Sequence, residues 1–294
     1  MTREIHCEGA PRDLGLDQGR AFAIPLRSEF DRQSVGARWR QRLGARTPAT
    51  AALVRDLRRH FPQHSEALEG MVSGARVPYA WFAEQLAREL LASSGTEAAV
   101  AASRGSASGV LIARSFGAPP CIRRSRPEGG FASLELTAPW YASSFAGVNE
   151  GGLAVAGIPL PPSADSTACA VPAAVMVQDC LARFDSVRGA VDWCTGRPAG
   201  GCAVVLLADA TGSVAGVAIE GDRRRELLPK DDWIEVNAGR AVDGLRTAAP
   251  KGPSAVAAQL GRLAAAIDPA RRRIELHDAE TGRALAFEVG EPSA

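Results

Sequence analysis

The pattern of apolar and polar positions along the chain changes near residue 95. Before that point, apolar residues recur among charged residues at the spacing of amphipathic helices. Ser93-Ser94-Gly95 provides a helix stop. The pattern predicts helices from about residue 20 to 43, over 51–60, over 65–75 and over 79–91.

Beyond residue 95 the apolar runs become short, and glycine, serine and proline separate them. Such runs are typical of strands joined by turns. The predicted strands cover 98–103, 110–116, 133–136, 143–148, 153–158, 203–208, 214–220, 233–236, 273–276 and 283–289, with helices over 171–184 and 186–193. Helices and hairpins in separate blocks favour the α+β class over alternating βαβ units. No linker divides the chain, so we expect one domain over 1–294, mainly helical over 1–95 and sheet-rich over 96–294.

Composition and charge exclude several functional classes. The 294 residues carry a formal net charge of +1, from 34 basic and 33 acidic side chains. Such a balance gives no field that would attract nucleic acid or an anionic membrane. The N-terminus has no apolar signal segment, and no apolar run is long enough to span a bilayer. We therefore expect a cytoplasmic protein without nucleic-acid or membrane partners.

Cofactor and metal motifs are absent from the sequence. There is no glycine-rich phosphate loop, and the six cysteines include no Cys-x-x-Cys pair. His60 and His64 have ligand-like spacing, but Pro62 intervenes and no third ligand is placed near them. We expect no cofactor and no metal, and we expect the cysteines to be small buried apolar residues.

Four segments of the sequence form a set of motifs: 8–20 (EGAPRDLGLDQGR), 66–75 (EALEGMVSGA), 147–155 (GVNEGGLAV) and 207–212 (LADATG) followed by Ile219-Glu220. Together they resemble the penicillin acyltransferase family of cysteine N-terminal nucleophile (Ntn) hydrolases. Residues 8–20 resemble the family's Gly-x-Pro-x-x-x-Gly-x-x-x-Gly opening, which leads into a helix. The four segments occur in the family's order over about residues 1–225. The resemblance implies an αββα sandwich of two stacked, mainly antiparallel sheets flanked by helices.

The resemblance also implies that the family's nucleophile is missing. In that family the precursor cuts itself before a cysteine, whose freed amino group then serves as base for its own thiol. The cysteine lies about sixteen residues before the Asn of an Arg-Asn-x-Asp motif. Here that position is Ala99, or Ala98 with a one-residue slip, the motif's Asp becomes Gly117, and the oxyanion-stabilising Asn becomes Val204. We therefore expect no self-cleavage and no N-terminal cysteine mechanism.

Three residues are candidates for a rebuilt catalytic site. Arg114 and Ser115 occupy the positions of the family's processing and substrate residues, and Arg114 could hold a carboxylate through two hydrogen bonds. Its alternative role is to cap a sheet edge in solvent. Cys121 is expected on a loop beside Arg123 and Arg124, where positive charge lowers a thiol pKa; its alternative role is an inert thiol.

Six residues are candidates for substrate binding. Ala99 occupies the position of the family's nucleophile. Ser103 follows on the same strand and is either a polar strand end or, if the match to the family is shifted by four residues, the nucleophile itself. Trp140 and Tyr141 could enclose an apolar group, or they could belong to the core. Asn149 and Glu150 could line a pocket or serve a turn, where Asn tolerates a left-handed backbone and Glu caps amides.

Three functions remain open from the sequence. The first is a diverged enzyme that acts on an acyl- or amide-bearing small molecule by acyl transfer, hydrolysis or cyclisation. The second is a catalytically inactive binding or regulatory homologue. The third is a scaffold subunit, which could pair with an active paralogue and would show a large apolar patch on its outer helices. A homodimer is compatible with each of the three.

Overall fold

The computed structural model describes residues 3–44, 46–91, 99–106, 109–116, 119–160, 169, 171–172, 175–230, 233–237, 263–278 and 280–290. The predictions made for Ala98 and Gly117 lie outside these residues. The side chains of Ala99, Ser103 and Ser115 also lie outside the description, which covers only their backbone.

Six helices follow the first strand, and most later elements are strands. The elements are β1 (Glu4–Gly9), α1 (Pro11–Ala21), α2 (Ala23–Asp31), α3 (Val35–Arg42), α4 (Pro48–His60), α5 (Pro62–Ala75), α6 (Tyr79–Leu91), β2 (Ala99–Ser106), β3 (Gly109–Ser115), β4 (Cys121–Pro127), β5 (Ser133–Thr137), β6 (Ala146–Asn149), β7 (Leu153–Leu160), α7 (Val175–Arg183), α8 (Val187–Gly196), β8 (Cys202–Asp209), β9 (Val214–Glu220), β10 (Arg223–Leu227), β11 (Trp233–Asn237), β12 (Leu263–Asp268), β13 (Arg273–Asp278) and β14 (Arg283–Glu288). No described helix is long and apolar enough to cross a bilayer.

The strands form two sheets that pack face to face. The first has eight strands in the order β1-β4-β5-β6-β7-β8-β9-β10, and the second has six in the order β11-β2-β3-β12-β13-β14. All described pairs of named strands are antiparallel except β1 with β4, which is parallel. Contacts of β2 and β3 with β7 and β8 join the sheets, whereas α1, α7 and α8 contact the eight-stranded sheet. The predicted α+β class, with two stacked and mainly antiparallel sheets flanked by helices, is confirmed.

The alternation of side chains in β5 shows how the layers are built. Leu134 and Leu136 point into the apolar core between the sheets, which they share with Ile112 of β3. Ser133 and Glu135 alternate with them and are buried against the helices instead. Successive side chains of a strand point to opposite faces. The eight-stranded sheet therefore has an apolar face toward its partner sheet and, at this end, a polar face toward α1, α5 and α7.

Helices α1 and α5 approach each other unusually closely through glycines. A Cβ atom on Gly15 would lie 1.8 Å from the backbone oxygen of Ala67, and one on Gly70 would lie 2.0 Å from the oxygen of Arg12. Both distances are far below van der Waals contact, so any side chain at either position would push the backbones apart. Gly15, Gly19, Gly70 and Gly74 therefore serve the packing of α1 on α5.

Several sequence predictions need correction. The single helix expected over 20–43 is wrong, because α1 ends at Ala21 and the hydroxyl of Ser34 accepts a hydrogen bond from the backbone N–H of Ala37 to start α3. Helix α1 and strands β1, β4, β10 and β12 were not predicted. The other helices and strands are confirmed, with ends shifted by a few residues.

Candidate functional site

The open end of the β2–β3 hairpin brings predicted site residues together. β2 begins at Ala99 and β3 ends at Ser115, so both residues lie at the same end of the hairpin. Val100 is the Cα partner of Arg114 across the two strands. The spacing that identified Ala99 and Arg114 from sequence thus corresponds to one place on the sheet.

Arg114 is buried against aromatic rings. Its side chain is on the same face of β3 as Ile112, only 6% of the residue is exposed, and its Cζ lies 4.4 Å from the ring centroid of Phe145 and 5.0 Å from that of Phe116. The alternative role in a solvated sheet edge is therefore wrong. A guanidinium over an aromatic ring is stabilised by about 0.5–2 kcal/mol, depending on desolvation.

The rings extend from Arg114 to the predicted substrate-lining residues. Phe145 stacks on Tyr141 with ring centroids 4.8 Å apart and planes inclined by 16°, and Trp140 lies 5.4 Å from Tyr141. We call Arg114, Phe116, Trp140, Tyr141 and Phe145 the Arg114 cluster. Phe145 thus connects Arg114 to Tyr141, and Tyr141 belongs to the buried core, as the alternative interpretation expected. The binding role of Trp140 and Tyr141 stays a prediction.

The loop over 138–145, which carries three of these rings, is held from the other side by Arg123. The guanidinium donates to the backbone oxygens of Ala142 (3.1 Å) and Ser143 (3.2 Å) and to the hydroxyl of Ser144 (2.9 Å). Gln18 of α1 adds a hydrogen bond from its amide to the backbone oxygen of Tyr141 (2.9 Å). Helix α1 and strand β4 thereby fix the loop that presents the aromatic rings to Arg114.

Glu135 balances the charge of Arg123. The two form a buried ion pair, and the hydroxyls of Ser133 and Ser144 also donate to the Glu135 carboxylate. Burial, the largest influence on Glu135, favours its neutral form, but Arg123 and the two hydroxyls outweigh it and lower its pKa below the ordinary value. The pair is therefore ionised at neutral pH, and its charges are compensated inside the protein.

A second buried pair lies on the same face of the sheet. His64 Nε2 of α5 is 3.4 Å from Asp179 Oδ1 of α7, and Arg183 Nε is 3.6 Å from the same carboxylate oxygen. Desolvation acts most strongly on Asp179 and raises its pKa, but the hydrogen bond and charge of His64, together with Arg183, lower it overall. The partner of His64 is thus a carboxylate distant in sequence. Within the described residues no three His, Cys, Asp or Glu side chains group to hold a metal.

Cys121 differs from its expected setting. It is the first residue of β4 and is buried in the apolar core beside the helices. Burial raises the pKa of its thiol to about 11, and Arg3 only partly opposes this. The expected loop position and lowered pKa are both wrong, because desolvation exceeds the effect of the nearby charge. The other cysteines except the half-buried Cys202 are buried, as predicted.

Asn149 and Glu150 serve the turn between β6 and β7. The Asn149 amide donates to the backbone oxygens of Leu181 (2.8 Å) and Phe184 (2.7 Å), and its oxygen accepts from the N–H of Leu153 (2.9 Å). Glu150 accepts from the N–H of Ala132 (3.0 Å). These contacts bear out the amide-capping role of Glu150 and a turn role for Asn149, but the left-handed backbone expected at Asn149 is wrong, because Gly152 (φ 86°) adopts it instead. A pocket role stays a prediction.

Ser103 and Val204 complete the predicted positions. Ser103 pairs through its backbone with Leu111 and Trp233, four residues into β2 from the hairpin end. Val204 is fully buried in the apolar core between the sheets. An apolar side chain has no donor for an oxyanion. The loss of that function at this position stays a prediction.

Sequence reasoning missed four buried polar residues: Arg123, Glu135, His64 and Asp179. Of these four, only Glu135 has a weak signal in the sequence, the alternation of polar and apolar residues in β5. Alternation shows that a strand has a polar face but does not show whether that face meets solvent or a helix. The partners also come from elements far apart in the chain, so no local motif contains them.

No family model and no curated protein matches this chain. Solved structures similar to it include penicillin V acylase from Agrobacterium tumefaciens, 15% identical with a TM-score of 0.46, covering 65% of this chain and 86% of that one. A mutant of conjugated bile acid hydrolase from Clostridium perfringens is 11% identical with a TM-score of 0.47, covering 67% and 93%. The Caenorhabditis elegans N-acylethanolamine-hydrolyzing acid amidase orthologue is 10% identical with a TM-score of 0.43, covering 65% and 99%. At these identities and scores, none of their activities transfers to this chain.

Proposed function

We propose that this chain is a diverged Ntn-type protein that acts on a small acyl- or amide-bearing carboxylate at the open end of the β2–β3 hairpin. One observation carries the proposal: Arg114 is buried between aromatic rings next to Ala99, the position of the lost nucleophile. A guanidinium binds a carboxylate through two parallel hydrogen bonds, and the attraction is stronger away from water.

The Arg114 cluster supports a ligand with two unlike ends. The guanidinium suits a carboxylate, whereas the partly buried Trp140 and Phe145 offer flat apolar surfaces to an acyl chain or ring, and Tyr141 supports them from the core. An N-acyl amino acid combines these ends with an amide between them. Amides and related acyl compounds are also the substrate class of the family that the sequence resembles.

The chemistry does not use an N-terminal thiol in this proposal. Ala99 has only a methyl group, and the raised pKa of Cys121 keeps that thiol protonated near neutral pH. Binding without turnover, the second function left open by the sequence, is favoured by the same two observations. The two functions differ in whether a bound amide is eventually cleaved.

A binding experiment with N-phenylacetylglycine tests the site. We expect calorimetry to show saturable binding, and Arg114→Met to weaken it about tenfold or more, because a hydrogen bond to a charged group contributes about 1.5–3 kcal/mol. Arg114→Lys keeps the charge without the paired geometry and should give an intermediate affinity. Release of free glycine over long incubation would identify turnover, whereas its absence would identify a binding protein.

Arg42→Met is the matched control for this experiment. Arg42 also lies over an aromatic ring, that of Phe30 at 5.6 Å, but it belongs to α3 rather than to the hairpin. Its loss should leave the affinity for N-phenylacetylglycine unchanged. Equal binding by wild type and Arg114→Met would refute the proposed site.

The scaffold function, with a homodimer as its simplest form, is favoured by exposed apolar residues of the N-terminal helices. Ile24, Val35, Trp39 and Leu43 are each more than half exposed. Light scattering tests this second candidate, since Trp39→Glu should dissociate an assembly that uses this surface. A monomeric wild-type protein at all concentrations would exclude the homodimer.

A further inference from the structure

A cavity of about 150 Å³ lies on the helical face of the eight-stranded sheet, between α1, α5, α7 and the strands β4 and β5. None of its lining residues belongs to the Arg114 cluster. Part of its wall is apolar, from Leu14, Ala67 and Ala182, and part is polar, from Ser125, Glu135 and Asp179. A cavity of this volume holds a ligand of about six non-hydrogen atoms.

Ser125 is the residue that indicates a ligand. It lies on β4, its exposed fraction is 4%, and its Oγ has no hydrogen-bond partner among the described residues. Leaving a buried hydroxyl without a partner is unfavourable by about 1–3 kcal/mol. Because Ser125 lines the cavity, a polar group of a ligand could supply the missing hydrogen bond.

The charges around the cavity favour a cation. The carboxylates of Glu128, Glu135 and Asp179 line it. Arg183 is the one guanidinium among the described lining residues, whereas Arg123 and Arg197 act on Glu135 and Asp179 from outside the lining. Carboxylates therefore outnumber guanidiniums on the cavity wall. The wall presents more hydrogen-bond acceptors than donors, which suits a ligand rich in N–H groups.

We propose that this cavity binds a short primary alkylammonium ion. The ammonium group donates hydrogen bonds to Ser125 Oγ and to the neighbouring carboxylates, and the alkyl chain packs on Leu14 and Ala67. The site is separate from the one proposed at Arg114 and uses none of its residues. An experiment that refutes one of the two proposed sites therefore does not affect the other.

NMR of the histidine side chains tests the proposal directly. The chain has four histidines, and His64 lies in the cavity wall, so its imidazole signal reports occupancy. We expect a saturable shift of the His64 signal with n-butylammonium. The uncharged 1-butanol and the anion butyrate, which have similar size, should bind at least tenfold more weakly. Equal shifts with all three compounds would show that no cation site exists.

Substitutions assign the binding to this cavity. Ser125→Ala should weaken n-butylammonium binding about tenfold, whereas Ser73→Ala, on the exposed side of α5, should not change it. Ser125 also borders a second cavity of about 310 Å³, which Ala67 and Ala182 do not line. Ala67→Met should fill the cavity of about 150 Å³ without affecting the larger one, and it should abolish binding. If Ala67→Met does not fold, Ala182→Leu serves as the cavity-filling variant. Unchanged affinity in Ser125→Ala or in a folded cavity-filling variant overturns the proposal.

Discussion

Arg123 and Glu135 illustrate how a buried charge pair depends on both partners. Each side chain is at most 3% exposed, and Arg123 also holds the backbone of the loop over 138–145. Removing one partner leaves an uncompensated charge away from water, whereas removing both leaves none. The pair thus contributes specificity of the loop position more than net stability.

We expect Glu135→Leu and Arg123→Met each to lower the free energy of unfolding by about 3–5 kcal/mol. The double variant should lose much less than the sum, because no buried charge remains unpaired. Urea unfolding of the four proteins gives the coupling energy. Additive losses would mean that the two side chains act independently.

Cys121 provides a prediction about reactivity. Since its folded pKa is raised from 9.0 to about 11, the thiolate fraction at pH 8 should be about a hundredfold below that of an ordinary thiol. We expect iodoacetamide to label the half-buried Cys202 well before Cys121 in the native protein, as read by peptide mass mapping. Equal labelling rates for Cys121 and Cys202 would contradict the raised pKa and would support Cys121 as a nucleophile.

The sign of the corresponding pH dependence follows from the same shift. The folded state keeps the Cys121 proton while the unfolded chain releases its proton above about pH 9. Stability from this group is therefore complete below pH 9 and declines as pH rises toward about 11. Cys121→Ala should flatten this alkaline decline in a series of unfolding measurements.

At the scale of elements, the contact of α1 with α5 depends on glycine. Gly15→Ala places a methyl group where the backbone of Ala67 already lies, so we expect a loss of about 3 kcal/mol or more of unfolding free energy. Thermal unfolding measures it. Gly36→Ala in α3 is the control: no atom lies within 4 Å of its added methyl, and it should stabilise by up to about 1 kcal/mol. Equal effects of the two substitutions would contradict close packing at Gly15.

The elements also show what the sequence could reveal. Strands with apolar alternation, such as β5, were predicted because periodicity is a local property. Strand β4 (CIRRSRP) was not predicted because its face toward the helices carries the polar residues Arg123 and Ser125. The hydrogen-bond partners of Arg123 and the helices that cover Ser125 come from distant parts of the chain. Arg114 and Ala99 were found through motif spacing on one hairpin. His64 and Asp179 could not be paired from the sequence, because they meet only through a side-chain contact between α5 and α7.

At the scale of the whole molecule, the proposed loss of the nucleophile predicts an uncut chain. We expect freshly purified protein to give one species near 30.7 kDa by mass spectrometry under denaturing conditions. Ala99 cannot supply the attacking group for cleavage before itself. Two fragments with a new N-terminus between Ala98 and Ser103 would instead show that another residue serves as nucleophile.

The parallel pairing of β1 with β4 has a consequence for chain connectivity. β1 lies before all the helices and β4 after the β2–β3 hairpin, yet their backbones are hydrogen-bonded in one sheet, and α1 packs on both strands. If the chain were cut between α6 and β2, the two fragments would thus stay together as one non-covalent complex, held by sheet hydrogen bonds and buried side chains. The two pieces would behave as complementary fragments, each supplying strands to the same sheet.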